Sequence, residues 1–385
     1  MLFSNFDPDA FLRDSWQKQP LLIRNPWRDW QNPLAPDELA GLACEAAVES
    51  RLISRSGGRA NGRLVCEDGP FDEARFGGLG KKHWTLLVQA VDHHVPTVAA
   101  LIEPFRFVPN WRIDDIMVSY AVDGGGVGAH FDHYDVFLIQ GLGRRRWRVG
   151  QACNAATPLL PHDDLRLLAD FTPTAEYLLE PGDMLYVPPG VAHDGVAVGD
   201  DCMTYSVGFR APARSELISH WADHVLAELP QDLRYVDPGL QMQDNPGEIA
   251  PTALAALHAQ VTETLHDAAG FARWFGAFRT APKYPDADWR PARPIKAAAM
   301  RQRLASDALH RNPASRFSFI RQGEAAVWLF VDGECFDCRD ASAAFARQIC
   351  AHQAVMIDPQ VLASDHALTV IVQLYNQGSV SFDPG

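Results

Sequence analysis

His130-Phe131-Asp132, followed 61 residues later by His193, constrains this chain more than any other feature. Two imidazoles and one carboxylate, the first pair close together on one strand and the third delivered by a later strand, can occupy one face of an octahedral ion. Three coordination positions then remain open, the arrangement through which non-haem Fe(II) takes a cosubstrate and dioxygen together. The chemistry this predicts is iron-dependent oxygenation.

His-x-Asp occurs by chance in many chains, and a lone histidine is usually a packed or surface residue, so the surroundings matter. Gly124, Gly125, Gly126 and Gly128 precede His130 and give the backbone freedom to approach a bound group closely. Pro181-Gly182-Asp183 and Pro188-Pro189-Gly190 bracket Met184 to Val187, which reads as a short strand delivering His193 to a rim. From 116 to 209 the chain consists of short apolar segments separated by turn residues, as a small β-barrel requires. Ahead of it, Asp7 and Pro8 open a helix to about Trp16, residues 21–24 form a strand, residues 36–47 a second helix, residues 84–91 a strand, and a helix follows Pro96.

These residues resemble a family, the JmjC-type 2-oxoglutarate oxygenases within the cupin-like double-stranded β-helix proteins. The closer resemblance is to the bacterial ribosomal oxygenases. It is carried by residues 111–119, by 124–148, by 181–193 and by the entry segment 11–24, and is strong over about residues 1–210. The sequence departs from the family at Ala129 and His133, where Pro and Gln or Asn are usual; these flank the ligands and bear on substrate detail. The resemblance implies an α+β chain in three parts: a JmjC oxygenase domain over 1–211, a helical dimerisation segment over 212–280, and a winged-helix-like domain over 281–385. It implies Fe(II) held by His130, Asp132 and His193, 2-oxoglutarate as cosubstrate, dioxygen, and hydroxylation of an arginine, at its β-carbon, in a large-subunit ribosomal protein.

Strand parity adds residues to the site. Met117, Ser119 and Ala121 share one face of their strand, and Arg145 shares a face with Trp147 and Val149 while Arg144, Arg146 and Arg148 take the other. A guanidinium pointing into a barrel needs an anionic partner. The distal carboxylate of 2-oxoglutarate fits Arg145, with Ser119 as a second donor. Asp114, Asp115, Asp123 and Asp135 surround the triad in sequence and are candidates to receive a cationic side chain.

The net charge of −14 is unevenly spread: of 34 basic and 48 acidic residues, 11 of each lie in 281–385, leaving 23 against 37 in 1–280. An acidic catalytic region attracts a basic protein and repels nucleic acid phosphate. Neither a cleavable leader nor an 18-residue apolar run is evident, and seven scattered cysteines suit a reducing compartment, so a cytoplasmic protein without a membrane partner is expected. Cys335 and Cys338 read as part of a hairpin after the turn at Asp332-Gly333, not as a zinc knuckle.

After Pro212 the pattern becomes helical, over residues 215–229 with Ser215 as cap and over residues 254–278, and these helices are expected to form a dimer interface. His220 and His224, one turn apart, read as packed or capped surface residues. A Pro-rich linker spans 280–294, followed by a helix near 301–309, strands at 317–320 and 325–330, a helix at 342–350 and an apolar run at 368–375. The rival readings are a hydroxylase of histidine or asparagine or a lysine demethylase on the same triad, a non-catalytic cupin-like binding protein, and a DNA-binding regulator, which the acidic majority of the chain opposes.

Overall fold

The structure is a computed structural model that describes residues 2–60, 62–230 and 233–383. Nine strands form the catalytic core: β1 (Leu21–Ile23), β2 (Ser50–Arg55), β3 (Leu64–Asp68), β4 (Trp84–Val88), β5 (Ile113–Ala121), β6 (Asp135–Ala152), β7 (Pro173–Leu179), β8 (Met184–Val187) and β9 (Val191–Phe209). They run in the order β1-β8-β6-β9-β5-β4-β2-β3, with β7 paired to β6. Short helices α1 (Pro8–Asp14), α2 (Pro36–Leu42), α3 (Glu73–Gly77) and α4 (Pro96–Ala99) pad its outer side.

The barrel depends on two strands long enough to belong to both of its walls. The first half of β6 pairs with β8 and the second half with β7, while β9 runs antiparallel to it throughout. The register shifts around Gln140 to Arg144, where Gly143 takes a positive φ of 57°. That bulge changes the parity. Val136 and Leu138 before it and Trp147 and Val149 after it therefore belong to one inner apolar cluster, while Phe137 and Ile139 pack outward on Phe11, Phe105 and Phe209.

The sequence expectations meet the structure with shifted edges. Asp7 caps α1 through the Asp9 and Ala10 amides. The second helix stops at Leu42 instead of 47; beyond its cap Ala43 the turn tightens, Cys44 and Glu45 donating to the carbonyls of Gly41 and Leu42, three residues back. The strand expected to reach 91 ends at Val88, because Ala90 adopts a left-handed φ of 51°.

Helices α5 (Arg214–Glu228), α6 (Pro251–Leu265) and α7 (Ala268–Thr280) follow the barrel. The cap of α5 is Ala213, whose amide donates to Glu216, and not Ser215. The last unit comprises α8 (Ala297–Leu304), β10 (Leu309–Arg311), β11 (Phe317–Arg321), β12 (Ala326–Val331), β13 (Glu334–Arg339), α9 (Ala341–Ala351), β14 (Ala354–Val355), α10 (Pro359–Ala363), α11 (Asp365–Asn376) and β15 (Val380–Ser381) around its own core. Leu309 opens a strand where a helix end was expected. The β12–β13 hairpin turns at Asp332 and Gly333, both at positive φ, and its Cys335 and Cys338 are free thiols. Gly276 of α7 packs directly on the Phe330 ring, so α7 lies on the sheet of this unit, ahead of the expected boundary at 281. No helix among the described residues is long and apolar enough to cross a membrane.

Candidate active site

His130, Asp132 and His193 meet at the barrel mouth. One donor atom from each lies within 4.8 Å of the others, and among the described residues they are the only such group of possible metal ligands. The Asp132 carboxylate is 3.5 Å from His193 Nε2 and 3.8 Å from His130 Nε2. The backbone fixes this arrangement before any ion binds. His130 and His193 exchange amide-to-carbonyl hydrogen bonds of 3.0 and 2.8 Å, and the Asp132 carbonyl accepts from Gly190 at 2.7 Å. The preceding glycines allow the approach, since a Cβ on Gly126 would lie 2.4 Å from the Gly195 carbonyl.

The tautomers follow from the partners. His130 Nδ1 sits 2.9 Å from the Gly128 carbonyl and His193 Nδ1 3.0 Å from that of Val191, and a carbonyl can only accept. Both rings therefore carry their proton on Nδ1 and present the Nε2 lone pair to the centre, as metal-binding histidines do. Burial, and then the neighbouring His130, hold His193 down to about 4, which keeps the ring a neutral ligand. Two neutral imidazoles and one carboxylate fit a ferrous ion with open positions.

Behind the triad lies a cavity of about 380 Å³ whose wall includes Met117, Ser119, Arg145, Trp147 and Thr204. Arg145 is 4% exposed, reaches Ser119 Oγ at 3.5 Å, lies over the Trp147 ring, and has a buried Nε with no hydrogen-bond partner. No carboxylate pairs with it among the described residues. Such an orphaned guanidinium is a fit for an anion entering the cavity. In the β6–β9 ladder Val149 faces His193 and Arg145 faces Ala197, so both ends of the cavity rest on one pair of strands. Sequence reasoning missed Thr204, which pairs with Ser119 across β5 and β9, and Tyr134, which is 40% exposed at the rim.

The four aspartates do not enter this cavity. Asp135 is fully buried and accepts from Gln17, Arg112 and Tyr186 at 2.9, 3.0 and 2.5 Å. Asp115 is buried against Gln89 and Lys283, each at 2.6 Å, and Asp114 pairs with Arg316 at 2.9 Å. Asp123 bonds the Gly199 amide at 3.0 Å and lies 3.4 Å from Lys82. The expectation that they face a substrate is corrected: cations and donors within the chain already satisfy them. His220 and His224 are likewise surface residues of α5, against Phe278 and near Glu228 respectively.

Barrel, triad and inward arginine define a JmjC-type 2-oxoglutarate oxygenase, a protein hydroxylase that uses Fe(II), 2-oxoglutarate and dioxygen. Family profiles agree: a JmjC domain matches residues 100–217, a ROXA-like winged helix residues 263–381, and an AraC-like ligand-binding domain residues 174–270. The chain is 44% identical over 288 residues to the ribosomal protein uL16 3-hydroxylase of Escherichia coli, covering 74% of each chain. It is 26% identical over 218 residues to rat ribosomal oxygenase 2, covering 50% of this chain and 42% of that one. The solved structure of the E. coli ribosomal oxygenase YcfD with cobalt and 2-oxoglutarate matches with a TM-score of 0.86 at 35% identity, over 99% of both chains. The chain belongs to the ribosomal oxygenase family.

Proposed function

We propose that this enzyme hydroxylates the β-carbon of an arginine in a large-subunit ribosomal protein. The observation that carries the reading is the 44% identity to a relative named for hydroxylating uL16, since position 3 of an amino acid is its β-carbon. Two features of this chain support arginine. The excess of 37 acidic over 23 basic residues lies in 1–280, where it draws a basic protein toward the barrel. At the rim, the exposed ring of Tyr134 offers a face for a guanidinium beside the triad.

Fe(II), with 2-oxoglutarate and dioxygen, supplies the oxidation: one oxygen atom enters a C–H bond of the substrate and the other leaves in succinate, with loss of carbon dioxide. The chain supplies placement. His130, Asp132 and His193 would hold the ion. Arg145 and Ser119 anchor the far carboxylate of the cosubstrate, and Trp147 and Leu138 keep that end dry. We also propose a homodimer built on α5 and α6, because Ile218 and Leu226 are 61% and 66% exposed and α6 buries none of its residues.

The test of substrate is incubation of the enzyme, Fe(II) and 2-oxoglutarate with peptides of ribosomal proteins, followed by fragmentation. A one-oxygen gain on arginine is expected. A gain confined to histidine or asparagine, or loss of a methyl group from lysine, reassigns the substrate.

A further inference from the structure

A second cavity, of about 70 Å³, lies away from the barrel mouth, where the segment leading into β5 meets the C-terminal unit. Arg106, Arg279, Arg311 and Arg316 all line it. Two of them have carboxylates: Arg106 pairs with Glu103 at 2.7 Å and Arg316 with Asp114 at 2.9 Å. The other two have none among the described residues. Arg279, 5% exposed, donates only to the Trp111 carbonyl, at 2.6 and 3.2 Å. Arg311 reaches only neutral acceptors, the Gln353 side chain at 3.2 and 3.3 Å and the Cys350 carbonyl at 3.4 Å. The remaining carboxyl in the wall, Asp92, is pushed up to about 8 by burial and by Asp115, and is therefore neutral. Arg316 adds a buried Nε with no hydrogen-bond partner. The wall thus holds two positive charges without a counterpart, and burying unpaired charge is costly unless an anion completes it. Burial, together with Arg316 beside Arg279 and Arg106 beside Arg311, holds both guanidinium groups down to about 10.

We propose that this cavity binds one small tetrahedral oxyanion of the phosphate class, joining the catalytic core to the winged-helix unit. Size selects the ligand. A single water needs at least roughly 10–15 Å³ of such space, so a cavity of about 70 Å³ has room for a compact group of phosphate size. So small a volume favours a compact anion over a nucleotide. The planar forks of Arg279 and Arg311 suit oxyanion edges.

The experiment is titration of the full-length protein with inorganic phosphate at constant ionic strength, followed by calorimetry and by phosphorus NMR line width. Saturable binding unaffected by 2-oxoglutarate is expected. Arg279→Gln and Arg311→Gln should each weaken it roughly ten- to a hundredfold, as loss of charge-assisted hydrogen bonds implies, while the exposed-site control Arg144→Gln should not. If Arg279→Gln fails to fold, Arg311→Lys, which keeps the charge and loses the fork, should still weaken binding. Absence of saturable binding, displacement of phosphate by 2-oxoglutarate, or unchanged affinity in the folded Arg279 and Arg311 variants overturns the proposal.

Discussion

Replacing Arg145 with alanine should raise the KM for 2-oxoglutarate and leave the free protein at least as stable as before. The guanidinium is buried, its Nε has no partner, and its nearest side-chain acceptor, Ser119 Oγ, is 3.5 Å away. Arg51 and Arg166 also line the cavity, but of the three arginines only Arg145 is buried. Removing one member of a buried ion pair costs about 3–5 kcal/mol, and about 1.4 kcal/mol is a factor of ten. Turnover per unit of cosubstrate should therefore fall by roughly two to four orders of magnitude. The neighbours provide controls. Arg146 faces solvent and lies 3.4 Å from the exposed Glu176, a pair worth about 0–1 kcal/mol, so Arg146→Ala should change the same quantity less than about fivefold. Succinate release measured against 2-oxoglutarate concentration separates the cases. Equal effects of Arg144→Ala, Arg145→Ala and Arg146→Ala would refute the inward assignment, and a collapse of Tm in Arg145→Ala alone would make the residue structural.

His130→Ala and Asp132→Ala should each abolish 2-oxoglutarate turnover while far-UV circular dichroism stays native, because each removes one of three ligands from a partly exposed rim; full activity in either variant would sink the iron site. Ile218→Asp combined with Leu226→Asp should convert a dimer to a monomer in sedimentation, since both side chains stand on exposed faces of α5; a wild-type protein that sediments as a monomer would end that proposal. Asp92 titrates at about 8 when folded against 3.8 for the free carboxyl, so its contribution to stability is complete below about 3.8 and is lost as pH rises through about 8. Asp92→Asn keeps an acceptor for the Ile116 amide and removes this loss, so its Tm should fall less than that of the wild type between about pH 6.5 and 8.5; parallel curves would show that Asp92 is already ionised.

The triad was legible because its residue types are specific to one kind of metal chemistry and because the flanking Gly and Pro residues punctuate the strands that carry them. Arg145 was legible because strand parity is local, and the parity expected from residues 144–149 holds on that half of β6. Parity could not be extended to Val136 and Leu138, since the bulge beyond Gln140 exchanges the faces. The aspartates were misread for a different reason. Lys283 and Arg316, which occupy Asp115 and Asp114, are 168 and 202 residues away in sequence, and neither periodicity nor charge counting reveals such pairing. Thr204 escaped notice because it gains meaning only from its register opposite Ser119.

The β6–β9 ladder has a consequence for selectivity. His193 and Ala197, opposite Val149 and Arg145, are four residues apart on one strand, roughly 13 Å of rigid backbone. The barrel is therefore a gauge with one jaw at the metal and the other at the guanidinium. Closing the jaws by a single residue would turn every inner side chain outward, so the opening cannot adapt by small steps. With Arg145 as the proposed anchor, cosubstrate length would be read by main-chain register, and dicarboxylates shorter than 2-oxoglutarate should engage one jaw at a time.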